Sequence, residues 1–389
     1  MKKNLGKILL AASIAFMLTG CGEAKEAYEK GVSLASEGKY EESLPYFEKA
    51  IKEKEEQADY YIGYGMALNR LNRYQLAKEE FAKVMQETDN KISKKNNKQI
   101  YYGMAVSEYG LGEYDAVEEY CGKALSIEYL EDMDCDILYT RMVAYCQQEK
   151  WEQAKQDCQE IIKKDEKYLD AFLALARIER NMGNNDGAVK AYLDVIKKDK
   201  KNYELYFELY EQYAYSGQED AANELLTQLL EMKPDKAQDW MVAGRAYYLK
   251  KENDKAKECL ETAYQGKCKE SKYYLGIIYA EEKSYGQAVD AFLTYIKENK
   301  DTLKIEVYSR LAAVYMEQRE FGKAQDMLNQ GLSYGSSSAV QDLKRMQVFL
   351  LERQNKYVEA LEVAKQYKKI YPADDAMQKE IAFIKTRIK

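Results

Sequence analysis

Apolar and small residues recur three or four places apart along most of this chain, the period of one helix face. Between Trp240 and Tyr247, the bulky Trp240, the small pair Ala243-Gly244 and the aromatic Tyr247 share such a face. Ala256, Leu260 and Ala263 follow with the same spacing and predict a second helix close behind the first. Met377, Ile381, Ile384 and Ile388 predict one more helix at the end. Ile8 to Leu18 is different, an almost unbroken apolar stretch of eleven residues.

The helix pair repeats. Stepping by 34 from Ala237 lands on Tyr203, Leu169 and Cys135. With small insertions, further starts fall near Ala24, Ala58, Lys98, Lys269, Ile305 and Gln341, and a long interval is assigned to a loop at Asn90 to Asn97. The twentieth place is alanine in eight of ten repeats, with Ser43 and Val117 the departures. The eighth is Gly or Ala in seven: Gly31, Gly65, Ala105, Ala176, Gly244, Gly276 and Ala312. The seventeenth is aromatic in seven, from Tyr40 to Tyr357. Small contact residues let two helices cross closely, and aromatics fill the gaps between neighbouring pairs. Met142 and Tyr210 replace the small eighth residue, so those pairs are expected to splay. Pro45 lies inside a second helix, where a lost hydrogen bond and a kink are expected.

This pattern resembles the tetratricopeptide repeat, whose period is 34 residues. The resemblance covers about 24–374. It implies an all-α fold: a right-handed α-solenoid of about ten helix pairs, with residues 375–389 as a C-terminal capping helix. It also implies an inner groove lined by the first helix of each pair, commonly occupied by a peptide. The groove positions are Tyr28, Tyr102, Tyr109, Tyr139, Arg177, Arg180, Phe207, Tyr215, Arg245, Tyr248, Tyr273 and Arg345. Aromatics with arginine suit interface hot spots and stacking on sugar rings. With 36 tyrosines in the chain, each groove tyrosine also has a packing role as its alternative. The family's lysine–asparagine set for C-terminal carboxylates is absent, since its first-repeat places hold Tyr28 and Val32.

The N-terminus carries an address. Lys2, Lys3 and Lys7 precede the apolar stretch, Leu18-Thr19-Gly20-Cys21 closes it, and the chain turns polar at Glu23. That order is a secretory signal over 1–20, and its stretch is short for a membrane-spanning helix, which takes about 20 residues. The four residues ending in Cys21 resemble the lipobox of bacterial lipoproteins. That resemblance implies a lipid on Cys21, which would open the domain 21–374 and tether it, extracytoplasmic, to the bacterial cell membrane.

Charge and composition narrow the chemistry. The formal charge is −7, and the three lysines of residues 1–20 leave the remainder three units more negative, which argues against a nucleic-acid partner. There is no histidine, which removes a histidine general base and any histidine-ligated zinc site. No metal spacing, phosphate loop or nucleophile turn appears, so neither an enzyme nor a cofactor is expected. Cys121, Cys135, Cys146, Cys158, Cys259 and Cys268 read as buried thiols, with a disulfide among Cys135, Cys146 and Cys158 as the alternative. The expected function is a membrane-tethered scaffold that binds a protein or peptide in its groove. The alternatives are a surface lipoprotein binding glycans or nutrients, and an accessory for assembling an envelope or secretion complex.

Overall fold

Alanine, leucine, glutamate and lysine dominate the segments between turns, and these residues lose little freedom in a helix. A computed structural model describes residues 22–86, 89–300, 303–335 and 338–388; residues 1–20, where a secretory signal is expected, and Cys21 lie outside them. Among the described residues there are twenty-one α-helices, one short 3-10 turn at Glu131–Met133 and no strand. No described helix is long and apolar enough to cross a membrane.

The chain divides into two units. Residues up to Gly217 hold α1 (Glu23–Ser36), α2 (Tyr40–Glu53), α3 (Ala58–Arg70), α4 (Tyr74–Ala82), α5 (Lys91–Leu111), α6 (Tyr114–Leu125), α7 (Asp134–Gln147), α8 (Trp151–Lys164), α9 (Leu169–Asn181), α10 (Asn185–Lys198) and α11 (Tyr203–Tyr215). Residues from Gln218 hold α12 (Glu219–Glu231), α13 (Ala237–Leu249), α14 (Asn253–Gln265), α15 (Ser271–Glu281), α16 (Tyr285–Glu298), α17 (Glu306–Glu317), α18 (Phe321–Leu332), α19 (Ser338–Arg353), α20 (Tyr357–Ile370) and α21 (Asp375–Arg387). Within each unit every helix packs on the next. The odd-numbered helices also meet one another, α1 on α3 on α5 on α7 in the first unit and α13 on α15 on α17 on α19 in the second. The odd-numbered helices therefore form the crowded face of each unit.

The core follows a volume rule. Where the eighth place is glycine, the twenty-fourth is large. An added Cβ on Gly65 would lie 2.6 Å from the Phe81 ring, on Gly276 2.5 Å from Phe292, and on Gly244 2.6 Å from Leu260. At Met142, where the eighth place is large, the twenty-fourth is small: Met142 and Cys158 are both fully buried in one cluster. The expected splay at Met142 does not occur, because Cys158 leaves the room that methionine fills. Arg141 adds a bidentate link across the same pair, to Asp157 at 2.7 and 2.9 Å. α2 runs unbroken through Pro45.

Each turn inside a pair ends the first helix in one way. The fifteenth place has positive φ at Gly38, Asn72, Gly112, Glu149, Gly183, Gly217, Lys251, Lys283, Arg319 and Asn355. The amide one residue later donates back across the helix end, as Arg73 does to the Leu68 carbonyl at 2.9 Å and Glu320 to that of Tyr315 at 2.8 Å. This is the Schellman closure, with glycine or asparagine at six of the ten places.

The loop expected at Asn90 to Asn97 is helix from Lys91 onward. Asn90 caps it: its side chain accepts from the amides of Ile92 (2.9 Å) and Ser93 (3.0 Å), while Ser93 Oγ accepts from the Asn90 amide at 3.0 Å. That reciprocal box satisfies the first-turn donors and lets α5 start a full two turns early.

Candidate functional site

The odd-numbered helices carry the residues that the sequence assigns to a groove. Several of them turn out to build the wall. Tyr102 is only 1% exposed, and Tyr139, Phe207 and Tyr273 are also buried. They correct the groove assignment: helical spacing puts them on the right face, but the adjoining helix covers them. Tyr28 lies half-buried with its ring 4.9 Å from that of Tyr60 and 5.9 Å from Phe47. Tyr109 packs on Tyr114 at 5.7 Å. Tyr139 packs on Tyr168 at 5.8 Å. Tyr215 is open to solvent at 74%.

The arginines are mostly tied. Arg177 forks onto Glu208 at 2.8 and 3.3 Å, and Tyr192 Oη donates to the same carboxylate at 3.1 Å. Arg345 reaches Asp374 at 2.6 Å. Asp374 also accepts from Tyr367 Oη and caps α21 through the Met377 amide at 3.1 Å, so Arg345 braces the last helix. Arg180 is half-buried on α9.

In the second unit, cations and rings gather on α13, α15 and the approach to α17. Arg245 lies 4.9 Å from the Tyr274 ring centre, and Lys304 lies 5.0 Å from it and 5.2 Å from that of Tyr273. Glu270 pairs with Lys304 at 2.6 Å. Tyr248 Oη donates to Glu281 at 2.5 Å.

Beside this cluster lies a cavity of about 880 Å³, formed mainly by α15, α17, α19 and α21. Ile277, Ala313, Met346, Phe349 and Phe383 supply apolar wall, and Glu281, Arg310, Glu317, Glu352, Arg353 and Glu380 supply charge. Most of the charges have partners. Arg310 Nε donates to Tyr273 Oη at 3.0 Å and Arg353 pairs with Glu317 at 2.9 Å. Glu352 and Glu380 are the exception. Both line the cavity, Glu352 from α19 and Glu380 from α21, and one Glu352 oxygen is sealed from water without a hydrogen-bond partner. Burial first, then the Glu380 charge and a hydrogen bond between the two carboxyls, pushes Glu352 up to about 7.

The groove positions read from the sequence did not include Glu352, Glu380, Phe349 or Phe383. One signal was present: Phe383 falls off the stripe of Met377, Ile381 and Ile384 that docks α21, and 43% of it stays exposed. The pairing of two glutamates 28 residues apart left no such trace.

Stacked helix pairs of this kind define a helical-repeat protein. Residues 28–90 and 170–202 match models of the tetratricopeptide repeat, so the chain carries repeats of that type. Over 161 residues it is 25% identical to the Tetratricopeptide repeat protein 21 homolog of Caenorhabditis briggsae, covering 41% of this chain and 12% of that protein. Among solved structures it is similar to a tetratricopeptide repeat protein from Parabacteroides merdae, at 18% identity and a TM-score of 0.42, covering 63% of this chain and 93% of that one. It is also similar to YrrB, described as a TPR protein with an unusual peptide-binding site, at 22% identity and a TM-score of 0.39, covering 53% and 97%.

Proposed function

We propose that this protein is a non-catalytic scaffold, tethered outside the cytoplasm to a bacterial membrane, that holds partner proteins by a peptide or helix laid on its odd-numbered helices. The cavity between α15, α17, α19 and α21 carries this reading. It combines apolar wall with a few convergent polar groups, the usual make-up of a binding pocket, at a volume within the ordinary range of about 300–1,000 Å³. Repeat arrays bind on such surfaces because each helix adds contacts to a continuous face. The tether rests on the N-terminal signal pattern and Cys21. Assembly of an envelope or secretion complex is one setting for such a scaffold. The glycan reading needs open tyrosine faces, which Tyr215 offers but Tyr102, Tyr139 and Tyr273 do not.

Crosslinking of the full chain in its native cells, followed by mass spectrometry, tests the scaffold. The expected result is a small, reproducible partner set whose crosslinks map to the odd-numbered helices. Crosslinks scattered over both faces, with no partner recurring, would refute it. For the tether, Cys21→Ala should move the protein out of the membrane fraction or leave it unprocessed. Unchanged membrane retention with no acyl mass would end that part of the proposal.

A further inference from the structure

We infer that Arg310 receives one acidic side chain of the partner segment, an aspartate or glutamate, while the apolar residues beside it run along the cavity towards Phe349 and Phe383. This rests on the scaffold reading and supplies the chemistry of the partner and its placement on the helices.

Donors outnumber acceptors where α15 meets α17. Arg310 uses its Nε on Tyr273 Oη at 3.0 Å, and among the described residues no carboxylate oxygen lies within 4.0 Å of its guanidinium. Its two terminal nitrogens keep their N–H donors without an acceptor in the described chain. Tyr273 Oη accepts from Arg310 and Tyr274 Oη from Lys304 at 3.1 Å, so each phenol still has a hydrogen to donate. The carboxylates at hand are taken: Glu270 pairs with Lys304 at 2.6 Å, and Glu281 accepts from Tyr248 at 2.5 Å. Tyr273 is 7% exposed, and its ring packs against those of Tyr274 at 5.3 Å and Tyr295 at 5.4 Å. Arg310 therefore hydrogen-bonds to a fixed post while staying open to solvent itself, and such preorganisation lowers the cost of binding. Lys304 lies 5.2 Å and Arg310 5.6 Å from the centre of the Tyr273 ring, so two positive charges flank one phenol. A carboxylate meets this demand, because it accepts two parallel bonds from a guanidinium fork.

The surroundings specify the rest of the segment. The row of odd-numbered helices continues on both sides, to α13 and to α19, and no wall there ends a chain. The acid is therefore an internal side chain and not a terminus. Towards α19 and α21, Glu317, Glu352 and Glu380 repel a second acid, while Ala313, Phe349 and Phe383 accept apolar side chains. Arg353 does not offset those acids for a ligand, being paired with Glu317 at 2.9 Å, and Lys283 stands exposed at the rim. One acid with apolar neighbours fits; a run of acids does not.

The test uses the full chain in detergent and end-capped pentapeptides with one glutamate beside leucine and phenylalanine. Matched peptides carry glutamine for glutamate, serines for the apolar pair, three glutamates in a row, or a free C-terminal carboxylate in place of the acidic side chain. Calorimetry should show the glutamate peptide binding about tenfold tighter than its glutamine match, the worth of a charge-assisted pair at an open site. The serine peptide should bind more weakly than the glutamate peptide. Arg310→Gln should erase the preference for glutamate. Arg310→Lys should keep part of it, since the charge remains and the fork is lost. Tyr273→Phe should reduce it severalfold while keeping the ring in place. Arg310 is exposed, so its variants should melt with the wild type, and lost binding is then not lost folding. Equal binding of the glutamate and glutamine peptides, an unchanged preference in Arg310→Gln, or tighter binding of the triple-glutamate or free-carboxylate peptide would each overturn the inference. A glutamate preference that depends on Arg310, without any recurring cellular partner, would instead overturn the scaffold and leave the inference standing.

Discussion

Lys98 is the most deeply buried charge among the described residues, with its side chain 1% exposed. Its Nζ donates to Asp134 Oδ1 at 2.7 Å and to the Ile127 carbonyl at 3.0 Å, tying α5 to α7. Asp134 Oδ2 also accepts from Lys164 at 3.0 Å. Asp134→Ala would leave the Lys98 ammonium with one carbonyl and no counter-charge, a loss worth about 3–5 kcal/mol. Lys98→Met keeps the length of the side chain and removes the charge, while Asp134 retains the half-exposed Lys164. That change should cost no more than about 1.5 kcal/mol, as a volume-conserving swap does. The double variant should then lie nearer to Lys98→Met than to the sum, with a coupling of about 2–3 kcal/mol. Repeat arrays need not unfold in one step, so urea denaturation should be paired with hydrogen exchange in α5 to α8. Additive costs, or an Asp134→Ala loss below about 1 kcal/mol, would refute the reasoning that the pair is held by an uncompensated-charge penalty.

Three further outcomes follow from the packing. Gly103→Ala puts a Cβ 2.4 Å from the Phe81 ring, which Gly65 also abuts; it should cost about 1–3 kcal/mol by thermal melting, and Phe81→Leu in the same chain should recover part of it. Arg319 holds φ at 59° in the turn before α18, so Arg319→Gly should stabilise by about 0.5–1 kcal/mol, a gain that vanishes if the melting point falls. Burial pushes the thiols of Cys121 and Cys158 far up and that of Cys146 to about 11. A thiol reagent at pH 8 should therefore leave these three unlabelled in the native protein and label them after denaturation; fast native labelling of Cys121 would contradict its burial.

The all-helical architecture was legible because its cause is local. Residues three and four apart share a helix face whatever the rest of the chain does, and glycine or alanine at the eighth place signals a close crossing before any fold is known. The Asn90 capping box is equally local, with Asn90 and Ser93 three apart, but the long repeat interval points to a loop instead. Other features could not be read in this way. Met142 looked like a break in the pattern until Cys158, on the next helix, proved to make room for it. Glu149, Lys251, Lys283 and Arg319 adopt the left-handed turn conformation without glycine, because the helices on either side fix the geometry and the side chain must follow.

The same division runs through the candidate site. Periodicity by itself put Tyr102, Tyr139, Phe207 and Tyr273 on one face with Tyr215 and Tyr248. It could not say that the first four would be covered, since cover comes from the neighbouring repeat. Nor could it pair Glu352 with Glu380, whose meeting depends on how α21 lies against α19. The sequence alone determined helices, their pairing and the absence of histidine chemistry. Tertiary packing decided which residues remain available to a partner, because exposure belongs to the space between helices and not to any one of them.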